Sequence, residues 1–248
     1  MTTQIALLEG ITQSAWPAIS TELFDGWLLR FADGYTKRAN SVTPLYEGVL
    51  AEPEKLAYCE QRFAAAGLPS IFKLTAQNAV LDATLAERGY EQIDISSVQI
   101  ADLREVDCRV DQAVTLWRQP EVVWMDAFTH INGLTAAQRA IAERMLALYA
   151  APTTFAALVE NGQIVACGFA VRQHVYMLMF DICTDPAQRG QGYGRRLVAS
   201  LLAWGIETGA THGLLQVVAA NAAAVKLYAG FGYVEQYRYW YRQRAARA

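Results

Sequence analysis

Residues Gln188 to Arg195 form a glycine-rich segment whose composition suits an anionic ligand. The order is Gln188-Arg189-Gly190-Gln191-Gly192-Tyr193-Gly194-Arg195, and Arg196 follows. Glycines at alternate positions let a ligand approach the backbone where a Cβ would block it. The arginines of this segment add positive charge. The segment is therefore a candidate phosphate-binding loop, and a pyrophosphate is the ligand that suits it best.

The elements on either side of the loop must position it. The apolar run from Val175 to Thr184 predicts a strand, and the helical spacing of apolar residues from Arg195 to Thr208 predicts a helix. N–H groups in the first turn of a helix have no partner within the helix, and the helix dipole favours anions there. A strand–loop–helix order would thus direct backbone donors at the phosphate oxygens.

The spacing of the loop excludes two common nucleotide-binding motifs. A P-loop continues with Gly-Lys-Ser/Thr, but here Arg195 follows Gly194. A dinucleotide-binding loop has the spacing G-x-G-x-x-G and an acidic residue about 20 positions later. This loop has the spacing G-x-G-x-G, and Glu207 comes too early.

The loop and a second motif together resemble the GNAT (N-acetyltransferase) superfamily. The second motif begins at Asn221, continues through a short helical segment with Tyr228, and ends at Gly232-Tyr233. The resemblance covers roughly residues 153–242. It implies the acyl-CoA N-acyltransferase fold, of the α/β (α+β) class, with a mixed, mostly antiparallel twisted sheet flanked by helices. It also implies an enzyme that moves an acetyl group from acetyl-CoA directly to a primary amine of a small molecule, amino acid or peptide.

The resemblance implies roles for individual residues. The glycine-rich loop would hold the pyrophosphate, and the backbone from Ile182 to Thr184 would pair with the pantetheine arm as an added strand. The N–H near Ile182 would polarise the acetyl carbonyl. Tyr228 is the expected general acid, and Asn221 is expected to contact the coenzyme A arm and to cap a helix. The expected cofactor-binding residues are Ile182, Cys183, Thr184, Gln188, Arg189, Gly190, Gln191, Gly192, Tyr193, Gly194, Arg195, Asn221 and Tyr228.

The sequence leaves the general base and the acceptor open. Asp181, beside the expected acetyl position, is the first candidate base, and Asp126 and Glu121 are alternatives on a predicted helix. We interpret Cys183 as a buried strand residue, because no histidine accompanies it in a nucleophile motif. Three polar residues near the first predicted hairpin, Arg30, Arg38 and Asn40, could bind a carboxylate of the acceptor. Structural hydrogen bonds explain these residues more simply. The alternative function is a non-catalytic acyl-CoA sensor or interaction module.

An internal repeat is visible at a separation of 143 positions (221 − 78 = 143), where Asn78–Tyr90 matches Asn221–Tyr233 at Asn, Gly and Tyr. We infer two copies of one unit, a degenerate GNAT-like domain at 1–104 and an acetyl-CoA-binding domain at 105–248. In the first copy Tyr46-Glu47-Gly48-Val49 replaces the loop, and Leu85 stands where the second copy has Tyr228. The first copy is therefore expected to lack cofactor binding.

Composition and residue patterns argue against nucleic-acid-binding, membrane-spanning, secreted and metal-binding proteins. The chain has 248 residues, 53% of them hydrophobic, and a formal net charge of −3, which argues against a nucleic-acid partner. No apolar run approaches the roughly 18 residues of a membrane span, and the first residues lack a signal-peptide pattern, so we expect a cytoplasmic protein. The four cysteines and three histidines have no metal-ligand spacing. The oligomeric state stays open, with a homodimer among the alternatives.

Several elements are predicted by local patterns. A helix over 52–66 and a strand over 70–75 follow from apolar spacing. Asp33-Gly34 and Asn161-Gly162 each predict a hairpin turn, the first between strands over 27–31 and 35–42. Thr135 with Gln138 predicts a capping box at the start of a helix.

Overall fold

The computed structural model describes residues 3–245, which form two compact units. Unit 1 contains the described residues up to Val98, the segment Val218–Ala220 and the described residues from Tyr237 onward. Unit 2 contains Gln99–Val217 and Asn221–Gln236. No helix within 3–245 is long and apolar enough to cross a membrane.

Helices and strands alternate along the chain. The helices are α1 (Thr3–Ala15), α2 (Glu52–Ala65), α3 (Ala79–Glu87), α4 (Val122–Asn132), α5 (Ala136–Leu146), α6 (Tyr193–Glu207) and α7 (Ala222–Ala229). The strands are β1 (Ser20–Phe24), β2 (Trp27–Phe31), β3 (Val42–Pro44), β4 (Ser70–Thr75), β5 (Glu91–Asp102), β6 (Val114–Trp117), β7 (Thr153–Glu160), β8 (Gln163–Gln173), β9 (Tyr176–Thr184), β10 (His212–Val218) and β11 (Val234–Arg244).

In unit 1, β1, β2, β3, β4 and β11 lie side by side in that order. The pairs β1–β2, β2–β3 and β4–β11 are antiparallel, and β3–β4 is parallel. Helix α2 begins with Pro53 in its first turn and buries Leu56, Cys59 and Phe63. These side chains pack with Phe72 of β4 in one apolar cluster.

In unit 2, the strands follow the order β10, β9, β8, β7, β6. Antiparallel pairing runs from β6 to β9, and β9–β10 is parallel. Helix α6 buries Leu197, Val198, Leu201 and Leu202, the apolar stripe that predicted it. The expected fold class, a mixed and mostly antiparallel sheet with flanking helices, is thus confirmed.

Local predictions succeeded where one short motif decides the structure. The capping box is confirmed, because the Gln138 N–H donates to the Thr135 hydroxyl while the Gln138 amide oxygen accepts from the Thr135 N–H. The hairpin between β7 and β8 turns at Asn161-Gly162, both with positive φ.

The first hairpin differs from its prediction. Strand β2 does pair with β3, but β3 begins at Val42 and a loop precedes it. The Asn40 side chain organises this loop by accepting from the N–H groups of Ala32 and Gly34. The predicted tight turn at Asp33-Gly34 does form, with φ values of 48° and 77° and a 3.0 Å hydrogen bond from the Tyr35 N–H to the Ala32 carbonyl, but no strand follows it directly. A second two-residue turn, Asp25-Gly26 with φ values of 42° and 84°, joins β1 and β2. Helix α1 was not anticipated.

The repeat is reflected in the element bounds. Adding 143 to the bounds of α2 gives 195–208, against 193–207 for α6. The same shift takes β4, α3 and β5 to within a few residues of β10, α7 and β11. This agreement supports the duplication, while the domain boundary between residues 104 and 105 stays a prediction.

Candidate active site

Strands β9 and β10 are paired over only part of their lengths. Their parallel register runs from Tyr176↔His212 to Leu178↔Leu214. Beyond it β9 continues to Thr184 and β10 to Val218. Strand edges that are not paired with each other can hydrogen-bond an extended ligand as though it were another strand.

A β-bulge interrupts β9 where this unpaired portion lies. Cys167 pairs with Cys183 and Phe169 pairs with Phe180, so two residues of β9, Asp181 and Ile182, lie opposite Gly168 alone. Asp181 has a φ of 49°, and a Cβ on Gly168 would lie 2.6 Å from Cδ1 of Ile182. Bulges redirect the groups that follow them. The bulge therefore re-aims the backbone at Ile182, the expected donor to an acetyl carbonyl.

The glycine-rich loop enters α6 through backbone conformations that favour glycine. Gly190 and Gly192 have φ values of 80° and 82°, and a Cβ on either would meet no atom within 4 Å. The carbonyl of Gly192 accepts from the Arg195 N–H at 3.0 Å, which starts the helix. The Gln191 side chain donates to Gln188 and accepts from the Tyr193 hydroxyl. The loop is thus internally braced and has open space beside its glycines, which fits a phosphate-sized ligand.

Three elements meet at the start of α6. The Cβ position of Gly194 lies 3.4 Å from Oγ1 of Thr184 and 3.9 Å from Cδ2 of Leu227. The guanidinium of Arg195 lies 4.6 Å from the centre of the Phe231 ring. The end of β9, the glycine-rich loop and α7 with the residues after it are therefore adjacent within unit 2.

The arginines of the loop differ in their surroundings. Arg189 and Arg195 are exposed. Arg196 instead forms two hydrogen bonds to the Asp111 carboxylate, at 2.8 and 3.0 Å, and its pKa is raised mainly by that carboxylate. Arg196 therefore anchors α6, and the positive charge expected of it at a phosphate is already neutralised.

The second motif forms the α7 helix. The Asn221 side chain accepts from the Ala224 N–H at 3.1 Å, so the predicted capping role is confirmed. Tyr228 is 9% exposed, and its ring meets the edge of the Tyr233 ring at a centroid distance of 5.9 Å. Tyr233 is buried, and its burial raises its pKa. The catalytic role of Tyr228 stays a prediction.

The candidate bases occupy different settings. Asp181 is half-buried in the bulge of β9. Asp126 is ion-paired with Arg139 at 2.6 Å, and Arg139 also contacts Glu143. Glu121 is exposed at the N-cap of α4. Asp181 keeps its place as first candidate because it lies beside Ile182.

The polar group suggested for a carboxylate-bearing acceptor is engaged within unit 1. Arg30 is 3% exposed and donates to the carbonyl of Arg38 at 2.8 Å. Asn40 braces the loop described above. Arg38 donates through Nε to the Tyr239 hydroxyl at 3.1 Å. These contacts favour the simpler structural explanation.

The turn that replaces the loop in the first copy is closed by the chain itself. The Asp25 carboxylate accepts from the N–H groups of Val49 and Leu50, at 2.9 and 3.0 Å, and lies 3.3 Å from Lys55. These bonds, the one from Val49 first, lower the pKa of Asp25. The carboxylate thus occupies the turn that corresponds to the predicted phosphate-binding loop of the second copy, a role that the sequence did not reveal.

Cys183 differs from its prediction as a buried strand residue. It is half-buried, and its Sγ lies 3.3 Å from Sγ of Cys167 and 3.3 Å from Nδ2 of Asn132. The sequence contains no motif that links these residues.

Partly separated parallel strands, a bulge and a glycine-rich helix start define the acyl-CoA N-acyltransferase class of fold. Residues 2–242 match the family described as "Probable histone acetyltransferase Rv0428c C-terminal", and the chain belongs to this family of GNAT acetyltransferases.

Relatives agree with this assignment over most of the chain. "Uncharacterized N-acetyltransferase YobR" of Bacillus subtilis is 28% identical over 242 residues, which cover 95% of this chain and 97% of the relative. "Probable histone acetyltransferase Rv0428c" of Mycobacterium tuberculosis is 26% identical over 216 residues, 87% of this chain and 67% of the relative. The solved structure of a "GCN5-related N-acetyltransferase from Kribbella flavida" shares the fold, with a TM-score of 0.68, 16% identity, and coverage of 97% and 94%. The chain is thus an acetyltransferase.

Proposed function

We propose that unit 2 transfers an acetyl group from acetyl-CoA directly to a primary amine. The observation that carries this proposal is the combination, within one unit, of the partly separated β9 and β10 strands with the open glycine-rich loop. When bound, acetyl-CoA supplies a reactive acetyl thioester.

The proposed binding residues form two groups, one for the pyrophosphate and one for the pantetheine arm of acetyl-CoA. The loop from Gln188 to Arg195 binds the pyrophosphate through first-turn N–H groups, with Arg189 and Arg195 adding charge. The backbone from Ile182 to Thr184 holds the pantetheine arm, and Asn221 contacts the same arm. The open space beside Gly190 and Gly192 supports this arrangement, since it leaves room at the helix start.

The proposed proton transfers use two side chains. Asp181 accepts a proton from the acceptor ammonium, directly or through water, which leaves the amine nucleophilic. The Ile182 N–H donates a hydrogen bond to the acetyl oxygen as negative charge develops. The amine attacks the acetyl carbon and the C–S bond breaks. The Tyr228 hydroxyl donates its proton to the departing thiolate and regains one, through water, from the nitrogen that becomes the amide.

The proposed acceptor is a primary amine of a small molecule, amino acid or peptide. The names of the relatives support this class, since one is an N-acetyltransferase and another a probable histone acetyltransferase. The net charge of −3 is compatible with a cationic acceptor.

A thiol-release assay tests the proposal. Purified protein is mixed with acetyl-CoA and a panel of polyamines, amino acids and lysine- or alanine-terminated peptides, and free thiol is measured against a reaction without amine. We expect at least one amine to accelerate thiol release and to gain one acetyl group by mass. Calorimetric binding of acetyl-CoA without acceleration by any amine would favour a non-catalytic acyl-CoA sensor instead.

A further inference from the structure

Cys167 and Cys183 form a thiol pair that acetyl transfer, as proposed above, does not use. They lie directly opposite each other on β8 and β9, with Sγ atoms 3.3 Å apart. Opposite residues in antiparallel strands have Cα atoms about 4.5–5.5 Å apart, which lies within the roughly 4.4–6.8 Å that a disulfide spans. The strands therefore already hold the two sulfurs at a separation from which a bond can form with little backbone movement.

The two thiols have unequal environments. Cys183 is half-buried, and its hydrogen bond with the Cys167 thiol and then the one from the Asn132 amide of α4 lower its pKa. Cys167 is fully buried, and its hydrogen bond to Cys183 together with burial raises its pKa. A thiolate is the nucleophilic form of cysteine. Cys183 is thus the thiol that an oxidant from solvent reaches first. Cys167 is the buried thiol next to it.

We propose that Cys167 and Cys183 are an oxidisable dithiol site that hydrogen peroxide converts to an intramolecular disulfide. The Cys183 thiolate attacks one peroxide oxygen, the O–O bond breaks, and hydroxide leaves, so Cys183 becomes a sulfenic acid. The Cys167 sulfur then attacks the Cys183 sulfur, the S–O bond breaks, and the Cys167 proton leaves with the hydroxyl as water. Two thiols lose two electrons in total, and the peroxide is reduced to two waters.

The disulfide has a consequence that rests on the proposed function. Cys183 lies between Ile182 and Thr184, in the segment proposed to hold the pantetheine arm. Bond formation would draw the sulfurs from 3.3 Å to about 2.05 Å and shift the sulfur to which Asn132 donates. We expect oxidised protein to transfer acetyl groups about tenfold more slowly, with recovery after dithiothreitol.

Peptide mapping tests the dithiol site without any acetyl transfer. Trypsin cleaves after Arg144, Arg172 and Arg189, so residues 145–172 and 173–189 each carry one cysteine. After peroxide treatment and alkylation of unfolded protein, we expect a linked peptide containing both segments and the loss of two of the four titratable thiols. Dithiothreitol should restore both thiols.

Matched variants assign the two roles. Cys167→Ala should give no linked peptide and should leave Cys183 as a sulfenic acid that dimedone traps. Cys59→Ala is the control and should leave the linked peptide unchanged, because Cys59 is buried and burial raises the pKa of its thiol to about 12.

The outcomes separate the two proposals. Folded wild-type protein that gives no linked peptide, or that oxidises Cys59 or Cys108 before Cys183, overturns the dithiol site and leaves acetyl transfer unaffected. A linked peptide in a protein that acetylates no amine supports the dithiol site and counts against the proposed function alone.

Discussion

At the scale of single residues, Tyr228 offers the sharpest test of the chemistry. Its ring packs against Tyr233 and is 9% exposed, so Tyr228→Phe should keep the packing and remove only the hydroxyl. A positioned general acid contributes about 10²–10⁴-fold, and we therefore expect kcat to fall at least about 100-fold. Steady-state kinetics across pH should show this fall, while calorimetry shows an acetyl-CoA Kd within about twofold of wild type.

Tyr90→Phe is the matched control for Tyr228→Phe. Tyr90 is a buried tyrosine of unit 1 whose hydroxyl donates to Glu60 at 3.0 Å, so its loss should leave turnover unchanged. Equal turnover of Tyr228→Phe and wild type at every pH would remove Tyr228 from the mechanism.

Asp82 allows a stability prediction with a defined pH dependence. Its carboxylate accepts from Arg242 at 2.8 Å and from Trp240 at 2.6 Å, and Arg242 first holds the pKa of Asp82 below its ordinary value. A carboxylate whose pKa is lower in the folded state than in the unfolded state stabilises the fold at pH values above the unfolded-state pKa. This stabilisation is lost as the pH falls through the folded-state pKa. Asp82→Asn should therefore lower the free energy of unfolding by about 1–3 kcal/mol near neutral pH.

Urea denaturation measures this effect. The difference between Asp82→Asn and wild type should shrink as the pH falls through the lowered folded-state pKa of Asp82, because the wild-type carboxyl is then protonated too. A difference that stays constant between neutral and acidic pH would show that charge on Asp82 does not stabilise unit 1.

At the scale of elements, the turn into α6 should decide whether acetyl-CoA binds. Gly192 has open space beside it, so the side chain in Gly192→Val would occupy the space proposed for phosphate oxygens. We expect the acetyl-CoA Kd to rise at least about tenfold by calorimetry. Left-handed backbone also costs a non-glycine residue about 1–2 kcal/mol, and this cost must be separated from the effect on binding.

Gly209→Val provides that separation. Gly209 follows α6, has a φ of 98° and has no atom within 4 Å of its Cβ position. Both variants should lose similar thermal stability, but only Gly192→Val should lose cofactor affinity. Wild-type affinity in Gly192→Val would refute the loop as the pyrophosphate site.

At the scale of the whole molecule, we expect the two copies of the duplicated unit to differ in acetyl-CoA binding. Unit 1 has a cavity of about 480 Å³ lined by Tyr46, Glu47 and Asn78, among others. The N–H groups of Val49 and Leu50, in the turn before α2, already donate to Asp25. We therefore expect a single acetyl-CoA per chain in calorimetry. Asp25→Ala should keep this stoichiometry, since Glu47 would still repel phosphate; a second bound cofactor in wild type would contradict the degeneracy of unit 1.

The sequence alone predicted those parts that depend on neighbouring residues. The apolar stripe of α6, the Thr135 capping box and the Asn161-Gly162 turn each depend on side chains a few positions apart. The glycine-rich loop and Asn221 could be placed for the same reason, because a helix start is set by its own few residues. The fold class followed from the GNAT resemblance.

Tertiary structure decided the features that join distant segments. Asp25 meets the amides of Val49 and Leu50, and Asn132 meets Cys183, across spacings that no local motif encodes. The bulge at Asp181 depends on which residue of β8 lies opposite it, and register is a property of two strands rather than one. Sequence patterns report local periodicity, whereas strand register and long-range hydrogen bonds emerge only when the chain packs.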